Sequence, residues 1–416
     1  MKKLIKNNTE IKGKIEESIW NENIDNAINN LRKNKFKIYF YCPSTNTPSG
    51  GMGILLRAAK NLNDNGYDIM LVYEPRQDQK ISHEASVEAK TQINIFKKFS
   101  PNWVDFDISR IVFLPLGNRE ITFSDGTKTE CIPLSVNPED FLIIPEGFPD
   151  VMKRTIHVSC KRIILAQSWF YVLNRMQPGE KWQHFGIQDV ISISDAITEY
   201  LNSIMPGLKI KNFKPGINRD IFKVPAKNWT KKLVVAFIEP RGLESQSKTY
   251  IIIKTFYALY PYLKWVRFKE LKGMKRKQFA ECLASCVFYL STDDIAGFGT
   301  APLEAMASGI HTVGWASFGE KEYITTKNGF WCENGDIFQT AKTLGVAIDK
   351  WLNGDMDPKQ VQEEYEKTLS NYTIENEKKA MINIFNGYKN ERIKELKDLK
   401  QQYPYKHIKQ HYKKFT

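Results

Sequence analysis

The sequence predicts an α/β protein built from two doubly wound domains, and three observations carry this prediction. Short apolar segments rich in β-branched and aromatic residues alternate with longer segments of helical period along most of the chain. Two of the strands run into glycine-containing turns that open helices, at residues 43–53 and 291–300. The length, 416 residues, is sufficient for two hydrophobic cores. Because doubly wound sheets bind ligands at such strand-to-helix turns, both turns are candidate functional sites.

The first predicted domain begins after an amphipathic segment. Residues 1–34 alternate charge with spaced apolar residues, which indicates one or two helices. A strand follows at 36–42, then the turn that contains Gly50, Gly51 and Gly53, then a helix from Ile54 to Asn65. The remaining strands of this domain are predicted at 67–73, 140–145, 162–167 and 189–194.

The second predicted domain begins after a segment rich in proline and glycine. Pro215, Gly216 and Pro225 make residues 213–225 the best linker on composition. The elements that follow have the same alternating order, and the last long helix is expected to cross back to the first domain. Strands are predicted at 233–238, 265–269, 287–290 and 310–315, and helices at 249–259, 337–352, 357–369 and 375–398.

The second glycine-containing turn has the chemistry of a phosphate and ribose site. It follows strand 287–290 and leads into a short helix, in which Pro302 stands in the first turn and Gly309 marks the end. Glycines allow a ligand to approach the backbone closely, and the carboxylate of Glu304 can accept hydrogen bonds from ribose hydroxyls. An ordinary strand-to-helix crossover is the alternative for a lone Gly-x-Gly.

The sequence of this stretch matches a longer and more specific motif than Gly-x-Gly. Residues 297–299 (Gly-Phe-Gly) and 302–309 (Pro-Leu-Glu-Ala-Met-Ala-Ser-Gly) resemble the donor-site signature of GT-B glycosyltransferases of retaining family four, also called glycosyl transferases group 1. The resemblance implies the GT-B fold, in which two Rossmann-like domains enclose a donor cleft. It implies an acceptor domain at residues 35–215 and a nucleotide-sugar domain at residues 216–395. The amphipathic pattern of residues 1–34 predicts a helical extension before them, and the composition of residues 396–416 predicts a basic aromatic tail after them.

The resemblance also implies roles for the carboxylates of this stretch. Glu304 matches the second glutamate of the signature, which contacts the ribose of a nucleotide-sugar. The first glutamate, which contacts the sugar, is replaced by Ala296. Either Asp293 or Asp294 would then supply the sugar contact, or the contact is absent; Asp294 is taken as a donor-binding residue.

The remaining implied site residues come from both domains. Arg241 and Lys248 match the pair that clamps the donor pyrophosphate, and they are the predicted catalytic residues because their charge stabilises the leaving diphosphate. Gln167 stands where many relatives place a histidine near the reacting sugar, and it is predicted to contact the acceptor or the sugar. The other predicted donor-binding residues are Gly51, Gly53, Gly297, Phe298, Gly299 and Thr300.

Other catalytic classes find little support. There is no Gly-x-Ser-x-Gly nucleophile elbow. His407 and His411 have metal-type spacing but no acidic or cysteine neighbour. Residues 105–107 (Asp-Phe-Asp) match the Asp-x-Asp motif of metal-dependent GT-A enzymes, but so short a motif also occurs by chance. We therefore expect no metal and no cofactor apart from a nucleotide-sugar donor, with a UDP-sugar favoured.

Composition and charge constrain the partners. Hydrophobic residues make up 42% of the chain, no apolar run approaches the roughly 18 residues of a membrane span, and six cysteines are scattered. These features predict a cytoplasmic protein with free buried thiols, either soluble or peripheral to the inner membrane face. The net charge of +13 and a tail, 400–416, without Asp or Glu suit a polyanionic partner, although coding bias and a disordered tail explain them equally well.

The sequence thus predicts an enzyme, a hexosyltransferase-like glycosyltransferase of retaining type, that moves a sugar from a nucleotide-sugar to a hydroxyl. A surface polysaccharide or lipid-linked glycan is the favoured acceptor. DNA with hydroxymethylated bases is the alternative acceptor, which the basic tail would suit. A non-catalytic nucleotide-sugar-binding protein is a third hypothesis, because Ala296 and Gln167 replace two expected polar groups. The sugar and the oligomeric state are not specified by the sequence.

Overall fold

The computed structural model describes residues 20–43, 49–73, 103–108, 111–115, 120–122, 128–130, 135–225, 233–239 and 247–402. Its two main sheets are both wholly parallel, as the βαβ pattern of the sequence predicts. A separate antiparallel pair joins two three-residue strands, β4 (Glu120–Thr122) and β5 (Lys128–Glu130).

The first sheet has seven strands in the order β3-β2-β1-β6-β7-β8-β9. The strand order therefore reverses between β1 and β6, which lie side by side. At such a reversal the loops after the two strands diverge and leave a crevice at the carboxyl edge of the sheet. The strands are β1 (Lys37–Cys42), β2 (Asp68–Tyr73), β3 (Val112–Pro115), β6 (Phe141–Pro145), β7 (Lys161–Ala166), β8 (Asp189–Ser192) and β9 (Lys209–Asn212).

The helices of the first domain follow its strands. Helix α2 begins at Gly50, rather than at the predicted Ile54, so the glycines expected in a loop form the first helical turn. Ser49 is extended at the N-cap, and its carbonyl accepts the Gly53 amide at 2.9 Å. The helices are α1 (20–32), α2 (Gly50–Asn63), α3 (Pro149–Arg154), α4 (Trp169–Val172) and α5 (Asp195–Ile204).

The second sheet has five strands in the order β11-β10-β12-β13-β14. Its order reverses between β10 and β12, so this sheet also has a crevice at its carboxyl edge. The strands are β10 (Val234–Phe237), β11 (Arg267–Glu270), β12 (Phe288–Ser291), β13 (His311–Trp315) and β14 (Phe330–Cys332). The helices are α6 (Lys248–Leu259), α7 (Arg276–Ala284), α8 (Ala301–Ala307), α9 (Ile337–Asn353), α10 (Pro358–Leu369) and α11 (Ile374–Gln402).

Helix α11, 29 residues long, returns to the first domain, as the sequence predicts. Its Tyr388 is fully buried and donates to the Val190 carbonyl of β8 at 3.1 Å. Phe385 packs edge-on against Phe141 of β6 with ring centroids 6.1 Å apart. Helix α11 therefore completes the core of the first domain.

The predicted linker is tied to the start of this helix. Ile217 forms an isolated parallel bridge with Thr373, and the Gly216 amide donates to Glu377 at 2.6 Å. A side chain at Gly216 would lie 2.5 Å from the backbone of residues 373 and 374. The proline–glycine turn thus meets the N-terminus of α11 at close range.

Two further expectations concern the surface and the thiols. Five cysteines within the described ranges form no disulfide with one another, and three of them, Cys42, Cys160 and Cys286, are buried; Cys131 lies outside those ranges. Within the same part of the chain, no helix combines the length and the apolar content that crossing a membrane requires.

Candidate active site

The loop after β12 is shaped by its own side chains. The Asp293 carboxylate accepts the backbone amides of Ile295 (2.9 Å) and Ala296 (3.2 Å). The Ala296 carbonyl in turn accepts the Gly319 amide at 3.2 Å. Asp293 is therefore engaged in fixing the loop, which favours Asp294 over Asp293 as a ligand-facing carboxylate.

Asp294 and Lys248, both predicted site residues, lie together. The ammonium of Lys248 is 3.1 Å from the Asp294 carboxylate, and the lysine side chain is 51% exposed. Lys248 is the first residue of α6. An exposed ion pair of this kind contributes little to stability, so Lys248 can exchange its partner for a ligand at small cost. Arg241 itself lies outside the described residues.

Gly297 lies at the contact between the two domains. A Cβ on Gly297 would be 2.1 Å from the Gln167 carbonyl and 2.8 Å from Ser168 Cα, both of the first domain. The Gly319 position is equally restricted, since a Cβ there would be 1.9 Å from the Gly297 carbonyl. Glycine is thus required at position 297 because another part of the protein backbone approaches it closely, whereas the sequence suggested that a ligand approaches it.

Gly299 and Phe298 are also fixed by protein contacts. Gly299 has φ +72°, and a Cβ there would be 2.2 Å from the Glu320 carboxylate. Phe298 is 2% exposed and packs against the rings of Tyr323 and Tyr372 at 5.9 and 5.6 Å. The predicted donor contact of Phe298 can therefore involve only its backbone.

Glu320 is a buried acid that sequence analysis missed. It is 2% exposed, and its carboxylate accepts the Ser317 amide at 2.9 Å. Burial raises its pKa well above the usual range, and the neighbouring charge of Asp293 raises it further. Glu320 therefore contacts Gly299 with a carboxyl group whose neutral form is favoured by burial. It has no sequence signal of its own, because only the fold brings it under the loop.

Glu304 lies in the first turn of α8 and is 1% exposed. Its position is set by the bond from its amide to the Thr300 carbonyl, 2.9 Å long. Arg276 meets the carboxylate with both guanidinium branches: Nη1 lies 3.2 Å from Oε2, and Nη2 contacts Oε1. The predicted ribose carboxylate is therefore already paired, with a residue 28 positions away.

The first domain contributes the ends of β6 and β7. Gln167 follows β7, and its Oε1 is buried with no hydrogen-bond partner among the described residues. That oxygen would be 3.3 Å from a Cβ on Gly51, so the predicted residues Gln167 and Gly51 are neighbours. An unsatisfied buried acceptor costs free energy unless a ligand or water supplies a donor. Gln167 is thus suited to accept a hydrogen bond from a hydroxyl.

Glu146 is a second buried acid that sequence analysis missed. It follows β6, is 4% exposed, and accepts the Ser168 amide at 2.9 Å. Burial raises the pKa of Glu146 to about 7. Because Ser168 touches Gly297, Glu146 supports the segment through which the first domain meets the donor loop.

The described part of the chain contains no cluster of side chains suited to bind a metal ion. Nowhere in those ranges do three or more His, Cys, Asp or Glu side chains assemble as a metal set. Asp105, of the Asp-x-Asp triplet, accepts a hydrogen bond from Asn218 at 2.8 Å. His407 and His411 lie outside the described residues.

Comparison with known proteins adds family evidence to this geometry. Residues 262–368, which include Arg276 and Glu304, match the family model of glycosyl transferases group 1. The chain is also 29% identical, over 144 residues, to an alpha-1,6-glucosyltransferase of Actinobacillus pleuropneumoniae serotype 7 (strain AP76). That alignment spans 34% of this chain and 42% of the relative.

Solved structures match over most of the chain. The pneumococcal O-GlcNAc transferase GtfA, in complex with UDP and GlcNAc, has a TM-score of 0.58 at 10% identity, covering 86% of this chain and 99% of its own. Anabaena Alr3699/HepE, in complex with UDP-glucose, has a TM-score of 0.54 at 14% identity, covering 84% and 99%. These likenesses confirm the predicted GT-B fold, and the family match confirms the predicted resemblance of the second domain.

Proposed function

We propose that this chain, a GT-B protein whose second domain carries the glycosyl transferases group 1 sequence, transfers a sugar from a nucleotide-sugar to a hydroxyl acceptor. The observation that carries the proposal is Glu304, a carboxylate placed in the first turn of α8 inside the matched segment, beside the contact between the domains. The structural neighbours named above bind UDP, GlcNAc or UDP-glucose. A UDP-hexose, and UDP-glucose first, is the donor that we propose.

In this proposal the donor spans the edge of the second sheet. Glu304 accepts the ribose hydroxyls, and backbone amides of residues 297–300 meet the phosphates or the sugar. Lys248 and Arg241 neutralise the diphosphate. Lys248 would leave Asp294 for the phosphate, and Asp294 would then be free to accept a hydrogen bond from the sugar. The Ala296 position supplies no such group.

The transfer step needs electrostatic stabilisation more than a protein base. Negative charge grows on the leaving diphosphate as the glycosidic bond breaks, and cations that face it lower the barrier. The diphosphate oxygen can accept the proton of the attacking hydroxyl, so Gln167 need only orient a hydroxyl through its free Oε1. Retention of anomeric configuration follows from the family resemblance.

For the acceptor we propose a glycan hydroxyl, soluble or lipid-linked. The partial relative is an alpha-1,6-glucosyltransferase, and the first neighbour an O-GlcNAc transferase. A lipid-linked acceptor would place the protein at the inner membrane face, where its net charge of +13 would meet anionic headgroups. Binding to duplex DNA that weakens steeply with salt would instead favour a modified DNA base as acceptor.

The test begins with donor binding and hydrolysis. We expect UDP-glucose or another UDP-hexose to raise the melting temperature and to be hydrolysed slowly without acceptor; binding without any turnover would favour a non-catalytic role. Glu304→Ala should weaken donor binding by about 1.5–3 kcal/mol, because a charged hydrogen-bond acceptor is lost. The control is Glu366→Ala, which removes a surface glutamate that also pairs with an arginine, Arg219. Unchanged donor affinity in Glu304→Ala by calorimetry would refute the assignment of this site.

A further inference from the structure

We infer that Arg276 controls access to the ribose-binding carboxylate of the donor site: its guanidinium occupies the oxygens of Glu304 that the ribose hydroxyls would use, and donor binding requires the ribose to displace it. The inference rests on the proposed function, because it takes Glu304 as the ribose ligand. It adds a residue that neither the family signature nor the sequence analysis assigns to the donor.

The first step is the geometry of the pair. The Glu304 side chain is 1% exposed, and both its oxygens are engaged by the two branches of the Arg276 fork. The Arg276 side chain is 29% exposed. Because the carboxylate is buried and each of its oxygens already contacts the guanidinium, a ribose that binds Glu304 competes with Arg276 for those oxygens.

The second step is the way the arginine is held. Its guanidinium lies over the ring of Phe222 at 4.7 Å and near that of Phe279 at 5.7 Å. A guanidinium on aromatic faces is well suited to a low-polarity setting, because it is weakly hydrated and stacks favourably. The closed pair is therefore a stable state, and the open state needs a ligand to compensate for the lost contacts.

The third step concerns the position of Arg276 between structural units. It is the first residue of α7, and its amide donates to the Trp103 carbonyl of the first domain at 3.3 Å. Phe222 belongs to the segment that connects the two domains. Arg276 therefore contacts the first domain through its backbone amide and the connecting segment through its guanidinium.

A role in competing with the ribose and a purely structural role predict opposite changes in nucleotide affinity when Arg276 is removed. If the pair only supports the fold, removing Arg276 leaves Glu304 misplaced and weakens nucleotide binding. If Arg276 competes with the ribose, removing it tightens binding. When the open state is about one tenth of the population, the measured affinity is about tenfold below that of the open site.

The experiment measures the dissociation constants of UDP and of uridine by calorimetry on the full chain. We expect Arg276→Met, which keeps an apolar stem between the aromatic rings, to tighten uridine about tenfold. Arg276→Lys, which cannot form the two-branched contact, should tighten it by a smaller factor and serves if the methionine variant does not fold. The matched control is Arg219→Met, which removes an arginine bound to Glu366 by the same two-branched geometry at 3.0 and 2.7 Å on the surface.

The outcomes are distinct. Tighter uridine binding in either Arg276 variant, with Arg219→Met unchanged, supports the inference. Equal or weaker binding in both Arg276 variants overturns it while leaving the donor site intact. If UDP, GDP and ADP bind neither the wild type nor the variants, the proposed function itself fails, and the role of Arg276 fails with it.

Discussion

Glu377 joins three parts of the chain, and its removal should be among the costliest single changes. It lies in the first turn of α11 and is fully buried. Its carboxylate accepts from Arg57 Nε at 2.8 and 2.9 Å and from Nη2 at 2.7 Å, from Asn61 at 3.2 Å, and from the Gly216 amide at 2.6 Å. Glu377→Ala leaves the guanidinium of Arg57, whose side chain is 12% exposed, without its counter-charge.

The size of the loss follows from burial. Breaking a buried ion pair by removing one partner typically costs about 3–5 kcal/mol, because the other charge stays in a poorly solvated place. The control is Glu391→Ala in the same helix: Glu391 pairs with Lys211 at 2.8 Å but is 44% exposed, so its loss should cost less than about 1 kcal/mol.

Urea unfolding followed by far-UV circular dichroism measures both variants against the wild type. If the transition is not two-state, the midpoints of the resolved phases are compared instead. We expect the first domain to unfold at a lower urea concentration in the Glu377 variant, because the partners of Glu377, Arg57 and Asn61, belong to α2. A cost for Glu377→Ala no larger than that for Glu391→Ala would refute the reasoning.

Two further predictions concern the acids near the domain contact. The pKa of Glu146 is raised by burial to about 7, so its stabilising effect is present below pH 4.5 and is lost as the pH rises through 7. Between pH 5 and 8 the wild type should lose roughly 2–3 kcal/mol of unfolding free energy because Glu146 ionises, and Glu146→Gln should not show this loss. If the variant and the wild type differ in unfolding free energy by the same amount at both pH values, this prediction is contradicted. Gly299→Ala should cost about 1–3 kcal/mol more than Gly273→Ala, because both have positive φ but only Gly299 meets a neighbour, Glu320, within 4 Å. Equal melting temperatures for the two alanine variants would show that the loop yields.

The GT-B fold was predictable because its signals are local. Each strand is a short apolar run, and each ligand turn follows its strand directly, so alternation and the signature at 297–309 were enough. The start of α2 was wrong because glycine is a poor helix former in general, yet three glycines are accepted in a first turn, where few helical bonds depend on them.

The environment of the site was less predictable. The Arg276–Glu304 pair, the support of Gly299 by Glu320, and the support of Ser168 by Glu146 all depend on side chains distant in sequence that only the fold brings together. The roles of Arg241 and the other site residues, and the domain bounds, stay predictions. The structure adds that Lys248 and Asp294 are neighbours, as are Gln167 and Gly51.

The return of α11 separates the order of synthesis from the order of assembly. Three contacts tie α11 to the first domain. Tyr67, just before β2, donates to Asn386 at 2.8 Å, and Lys161 of β7 pairs with Glu395. Tyr388 donates to a backbone carbonyl of β8. On the ribosome the N-terminal domain emerges first and would ordinarily fold first. Here part of the core of that domain is supplied by α11, which is made after the whole of the second sheet, so the first domain lacks these contacts until α11 has emerged. A nascent chain that lacks α11 therefore leaves uncovered those parts of the first sheet that Tyr388 and Phe385 contact in the folded protein.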